Sequence, residues 1–121
     1  MAVTETAGEM IVTKGDQLVR DLQFLNSDGD PIETMAGAMI EVAIRQTDSA
    51  ETLIWTGSTD TGDIVISDVA DATATLTVQA AETDDWPVGE HRYAVRITDG
   101  AGYGATVEVG KCLIGQDYIT P

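Results

Sequence analysis

The stretch "AMIEVAIRQ", Ala38–Gln46, places a large branched apolar side chain at every second position from Ile40 to Ile44. Ile40, Val42 and Ile44 fall on one face, and Met39, Glu41, Ala43 and Arg45 on the other. A period of two with one apolar face marks a strand half-buried in an antiparallel sheet. The pattern recurs along the chain. "ATATLTVQ" sets Ala74, Leu76 and Val78 against Thr73, Thr75 and Thr77, and "EHRYAVRIT" sets His91, Tyr93, Val95 and Ile97 against Arg92, Ala94, Arg96 and Thr98. Threonine suits the outward positions because a β-branched side chain packs well on a pleated surface.

Further strands are expected at Met10–Lys14, Gln17–Leu25, Leu53–Thr56, Asp63–Ser67 and Thr106–Ile114. In the last of these Val107 and Val109 alternate, but Cys112, Leu113 and Ile114 follow Gly110 out of phase, so a bulge is expected near Gly110. The strings "SDGDP", "GSTDTGD", "SDVADA" and "DGAGYG" separate the strands as turns, the last reading as a loose hairpin tip. The helical candidate is "QAAETDDW", about one turn long and ended by Pro87 and Gly89. Short strands with regular turn punctuation predict an all-β, immunoglobulin-like antiparallel sandwich of about seven to nine strands, with at most one short helical turn. Residues 10–121 are expected to form that single domain, with residues 1–9 as an N-terminal arm. The Cys…Trp…Cys signature of a true immunoglobulin domain is absent, so the sandwich must hold by packing.

A chain of 121 residues with 43% hydrophobic content can bury one modest core. Six Lys and Arg against 21 Asp and Glu leave a net charge of -15, which repels nucleic acids and anionic membrane surfaces. Cys112 is the single cysteine, so an intrachain disulfide and a cysteine-based zinc site are excluded. It reads as a small core residue. The N-terminus has neither a basic region nor an apolar core of the kind found in signal peptides, and no apolar run approaches a membrane span. Synthesis in the cytoplasm follows as the expectation.

The densest group of candidate ligands is "FLNSDGDPIET", Phe24–Thr34, with three acids, a glycine and a proline. Counted as an EF-hand from Asn26, the ligand series runs Asn26, Asp28, Asp30 and then fails, because position 6 is Pro31 and position 12 is Gly37. Read as a turn, Asp28-Gly29 supplies the positive-φ position of a hairpin and Pro31 leads the chain onward. The acids Asp60, Asp63, Asp68, Asp71, Glu82, Asp84 and Asp85 fall in turns and read as solvated rather than as a glycosidase pair. His91 is the sole histidine, and Ser27, Ser49, Ser58 and Ser67 lack the nucleophile elbow of a hydrolase triad. It reads as a corner histidine hydrogen-bonded at its strand's entry. Neither a catalytic residue, a metal site nor a cofactor is expected. Trp55 reads as core. Trp86 and Tyr103 are the residues on which a sugar ring would stack if the domain were a carbohydrate-binding module.

The order of these features resembles a small phage family. "KGDQLVRDLQFLNSDGDPIETMAGAMIEVAIRQ" is similar to its Gly-Asp strand, Asp-Gly-x-Pro turn and following strand that ends Ile-Arg. "TATLTVQAAETDDWPVGEHRYAVRITDGAG" is similar to its middle strand, short turn and G-x-Y-x-Y strand, and "VEVGKCLIGQDYIT" to its closing strand. His91 stands where the first tyrosine of G-x-Y-x-Y would be. The family is that of tail-associated virion proteins similar to the N-terminal domain of the baseplate upper protein of lactococcal phages. The resemblance implies an immunoglobulin-like sandwich without enzymatic activity, located in the virion as an adaptor or decoration subunit of the tail, baseplate or fibre. Its partners would be other virion proteins, or further copies of itself, with no nucleic acid or membrane. Contacts are expected in the flanking arms, at Met1, Ala2, Val3, Thr4 and Glu5 and at Tyr118, Ile119, Thr120 and Pro121, where exposed backbone can pair with a neighbour. The alternatives are a glycan-binding module and a capsid decoration or head–tail connector protein.

Overall fold

The computed structural model of the chain describes residues 6–47 and 50–116. Among the described residues eight strands form two sheets: β1 (Thr6–Thr13), β2 (Leu18–Gln23), β3 (Met39–Gln46), β4 (Leu53–Ser58), β5 (Ile64–Asp68), β6 (Thr73–Val78), β7 (Gly89–Thr98) and β8 (Gly104–Gly115). One helical turn, α1 (Ala80–Thr83), lies between β6 and β7. The larger sheet runs β1-β8-β7-β3-β4 and the smaller β2-β6-β5. The fold is an immunoglobulin-like β-sandwich, as expected. Its first strand joins the larger sheet by pairing parallel with the last, while the remaining strand pairs are antiparallel.

The alternation read in the sequence places the core. Ile40, Val42 and Ile44 of β3, Tyr93, Val95 and Ile97 of β7, and Ala74, Leu76 and Val78 of β6 all point between the sheets and are buried. Phe24, Ile32 and Met35, from the β2–β3 crossover, fill the same interior. Strand β1 begins at Thr6 rather than Met10, so part of the expected arm is sheet.

The bulge sits elsewhere than the apolar pattern predicts. Val95 pairs with Glu108 and Arg96 with Thr106, which leaves Val107 as the extra residue. Val107 and Glu108 therefore both face inward, and Val109 faces out. Gly110 keeps regular register with both neighbouring strands. The sequence showed a phase change over Val107–Cys112 but not which residue absorbs it.

Local chemistry closes the ends of the sandwich. "FLNSDGDPIET" is a turn: Asn26 Oδ1 accepts from the Asp28 and Asp30 N–H groups at 3.0 and 3.1 Å, Gly29 has φ +84°, and Leu25 bridges to Pro31. The tip of the β7–β8 hairpin is pinned rather than loose. Asp99 Oδ1 accepts from the Ala101 and Tyr103 N–H groups at 3.0 Å each, and Oδ2 accepts from Thr34 Oγ1 at 2.8 Å. At the opposite end α1 seals against the β1–β2 turn. Thr83 Oγ1 donates to the Asp16 carbonyl at 2.7 Å and accepts from the Gly15 N–H at 3.2 Å, although the residue is fully buried. Replacing Thr83 by Val keeps the shape but strands both backbone groups, and should cost about 1–3 kcal/mol in denaturant unfolding, with the slope unchanged.

Candidate functional site

Two features of the sandwich carry charge where charge is costly or unusual. The first lies inside. Arg20 shares the inward parity of Leu18 and Leu22 on β2, and its guanidinium crosses to the larger sheet. Nη2 donates to Glu108 Oε2 at 2.7 Å, Nη1 donates to the Glu9 carbonyl at 2.9 Å, and Cζ stands 5.3 Å from the centre of the Tyr93 ring. Tyr93 donates its hydroxyl hydrogen bond to the same Glu108 oxygen. Burial first, and then that bond to a carboxylate, push the Tyr93 hydroxyl well above the usual phenol range, partly offset by Arg20. The side chains of Arg20 and Glu108 are 23% and 18% exposed, so the pair is partly wet. A Cβ on Gly8 would strike the Tyr93 hydroxyl and the Glu108 carboxylate, and one on Gly110 would strike the Gly8 backbone. Glycine at both positions lets β1 and β8 close under the ring.

The second feature lies on the outer face of the larger sheet. Arg45 of β3 stands directly opposite Arg92 of β7, and Arg92 directly opposite Lys111 of β8. The adjoining row is Ala43, Ala94 and Val109. Small side chains beside long ones leave a trough of about 690 Å³, with the cations along one side and Glu51 and Glu90 at its margins. Lys111 meets Glu90 at 3.5 Å, and both are largely exposed. Arg45 donates to the Glu51 carbonyl at 3.1 Å. Among the described residues no carboxylate is in ion-pair contact with Arg45, Arg92 or Arg96. Four of the chain's six cations, Arg45, Arg92, Arg96 and Lys111, thus share one sheet face of a strongly acidic protein.

Those residues singled out in the sequence that the structure describes do not come together as a site. Met1, Ala2, Val3, Thr4, Glu5, Tyr118, Ile119, Thr120 and Pro121 lie outside the described residues. Trp86 is 3% exposed and its ring meets Trp55 at 6.1 Å between centroids, so its faces are given to the core rather than to a sugar. Trp55 is buried as expected, its Nε1 donating to Glu82 at 3.4 Å, while Leu53 on the same strand is exposed. Tyr103 is 66% exposed in the β7–β8 loop. Trp86 precedes one end of ten-residue β7 and Tyr103 follows the other, so they stand roughly 30 Å apart and form no joint platform. His91 takes the corner position. Its Nε2 donates to the Pro87 carbonyl at 2.9 Å, while the buried Nδ1 has no hydrogen-bond partner among the described residues. Burial pushes the Cys112 thiol up to about 11, as befits an unreactive core residue. A cleft of about 240 Å³ opens between β2 and β8, but Glu108 at its wall is occupied by Arg20 and Tyr93.

Sequence reasoning missed the inner bridge, although Arg20 carried a signal in its parity with Leu18 and Leu22. The outer cation row left no such signal, because it exists only through cross-strand register.

No protein-family model and no curated protein matches the sequence. Among solved structures the chain is similar to CopC from Methylosinus trichosporium OB3b, at 14% identity and TM-score 0.46, over 95% of this chain and 86% of that one. It is similar to the sialic acid binding region of a Streptococcus sanguinis SK1 adhesin, at 13% identity and TM-score 0.47, over 95% and 29% of the two chains. Extracellular domains 3–5 of Drosophila OTK align at 10% identity and TM-score 0.37, over 93% and 35%. At these values the likenesses say nothing of ligand or activity.

Replacing Arg20 by Met leaves Glu108 partly buried without its cation, and should cost about 1–3 kcal/mol after allowance for the solvent that reaches the pair. Adding Glu108→Gln should recover most of that loss in a double-mutant cycle read by urea unfolding. At the hairpin tip, the bond from Thr34, followed by those from the Tyr103 and Ala101 N–H groups, holds the Asp99 carboxyl below its usual range. A lowered folded value means the bonds stabilise fully above the unfolded value of about 3.9 and are lost as pH falls through the folded one. Asp99→Asn should therefore reduce the wild type's loss of stability below about pH 4, measured as thermal midpoint against pH.

Proposed function

We propose that this chain is a non-enzymatic virion structural protein, an adaptor or decoration subunit of a phage tail, baseplate or fibre, acting through protein–protein contact. The observation that carries this reading is how the buried polar groups are used. Arg20, Glu108 and Tyr93 join the two sheets, Asp99 holds a hairpin to a crossover, and Thr83 holds the helical turn to the β1–β2 turn. These groups build a rigid body. What the body offers outward is sheet surface and strand edge, including Ile11, 68% exposed on edge strand β1. Such edges and faces are the material of protein assembly. The phage assignment itself rests on the sequence strings Lys14–Gln46, Thr73–Gly102 and Val107–Thr120, and the three structural likenesses above are not phage proteins. With both tryptophans packed against one another, no observation favours the glycan-binding alternative.

Particles purified on density gradients from cells that carry the chain in its native genomic setting should contain it. It should remain with them after washes that remove free protein, as read by mass spectrometry of the particle band. Recovery only in the free-protein fractions would refute the reading.

A further inference from the structure

We propose that the trough on the outer face of the larger sheet, floored by Ala43, Ala94 and Val109 and edged by Arg45, Arg92 and Lys111, receives a carboxylate-rich segment of a partner protein. This rests on the assembly reading above and names the surface that would serve it.

The charge arrangement is the argument. Like charges directly opposite on neighbouring strands destabilise a sheet, and here three cations stand in one row. The chain holds 21 acids for six bases, so partners for these cations are abundant in composition. Even so, Arg45 and Arg92 have no carboxylate contact among the described residues. An incoming carboxylate can bridge two guanidiniums with charge-assisted, bidentate hydrogen bonds. The floor beside them is small and partly apolar, which leaves room for the partner's aliphatic side chains. Arginine beside apolar surface is also the composition favoured at protein interfaces. The occupant is assigned to a different protein because two copies meeting trough to trough would set one cation row against another.

The test uses a fluorescein-labelled hexapeptide of alternating Glu and Leu, with the equivalent Lys and Leu peptide as control, read by fluorescence polarisation against the full chain. The acidic peptide should bind at low salt and weaken as ionic strength rises. Arg45→Glu combined with Arg92→Glu should weaken it by about tenfold or more. Ala94→Trp, which fills the trough without altering charge, should weaken it as well. Circular dichroism melts of the variants confirm that each is folded. Equal binding by the folded variants, equal binding of the Lys peptide, or no binding by the wild type would overturn the proposal. A salt-sensitive dimer in sedimentation velocity, abolished by Arg92→Glu, would also overturn it by assigning the trough to a second copy. The two readings separate cleanly. If the chain is found in particles but binds no acidic peptide, the trough is wrong and the assembly reading stands. If it binds the peptide but is absent from particles, the reverse holds.

Discussion

Arg20 leaves the smaller sheet and ends on Glu108 and Tyr93 of the larger one, at the place where two packed sheets would otherwise have only apolar contact to fix their relative position. A chain with one cysteine has no inter-sheet disulfide to do this. Apolar packing is strong but tolerant of sliding, because area buried is nearly the same after a small shift. A charge pair is not tolerant. A one-residue slip of β2 would turn Arg20 to solvent and leave Glu108 facing the interior with the Tyr93 hydroxyl but no cation. The bridge thus contributes chiefly to uniqueness of register, and the core contributes the bulk of the stability.

Several other features are arranged to permit that bridge. Glu108 can face inward only because the bulge at Val107 places two successive side chains on one side of β8. Tyr93 can lie beside it only because Gly8 and Gly110 leave the space. Bulge, glycines, tyrosine and ion pair are one device assembled from β1, β2, β7 and β8. The same bulge sets the phase of the rest of β8, turning Val109 and Lys111 to the outer face and Cys112 and Ile114 inward. An interior requirement therefore also decides what the exterior trough contains.

Much of this was legible in the chain itself. The alternation in β3, β6 and β7 depends only on the two-residue repeat of a strand, so the inward residues could be named without a structure. Asn26 acts through its side chain on N–H groups two and four residues on, and Gly29 and Pro31 act through their own backbones, which is why the turn was readable too. The β8 bulge was visible as a break in phase but misplaced, since Gly110 is the obvious weak point and Val107 is not. The tip at Asp99 looked loose because Thr34, its partner, lies 65 residues away in sequence. Trp86 stood as a candidate sugar platform because nothing local announces the ring of Trp55.

The class of fold, the inward and outward faces of β3, β6 and β7 and the turns between strands are written in the residues themselves. These follow from interactions within a few residues and from the solvent preference of each side chain. That β1 runs parallel to β8, that Arg20 meets Glu108 across 88 positions, and that Arg45, Arg92 and Lys111 stand in one row emerge only in the folded chain. Those depend on which strands neighbour one another and in what register. That choice is made by the packing of the whole chain, and no single segment encodes it.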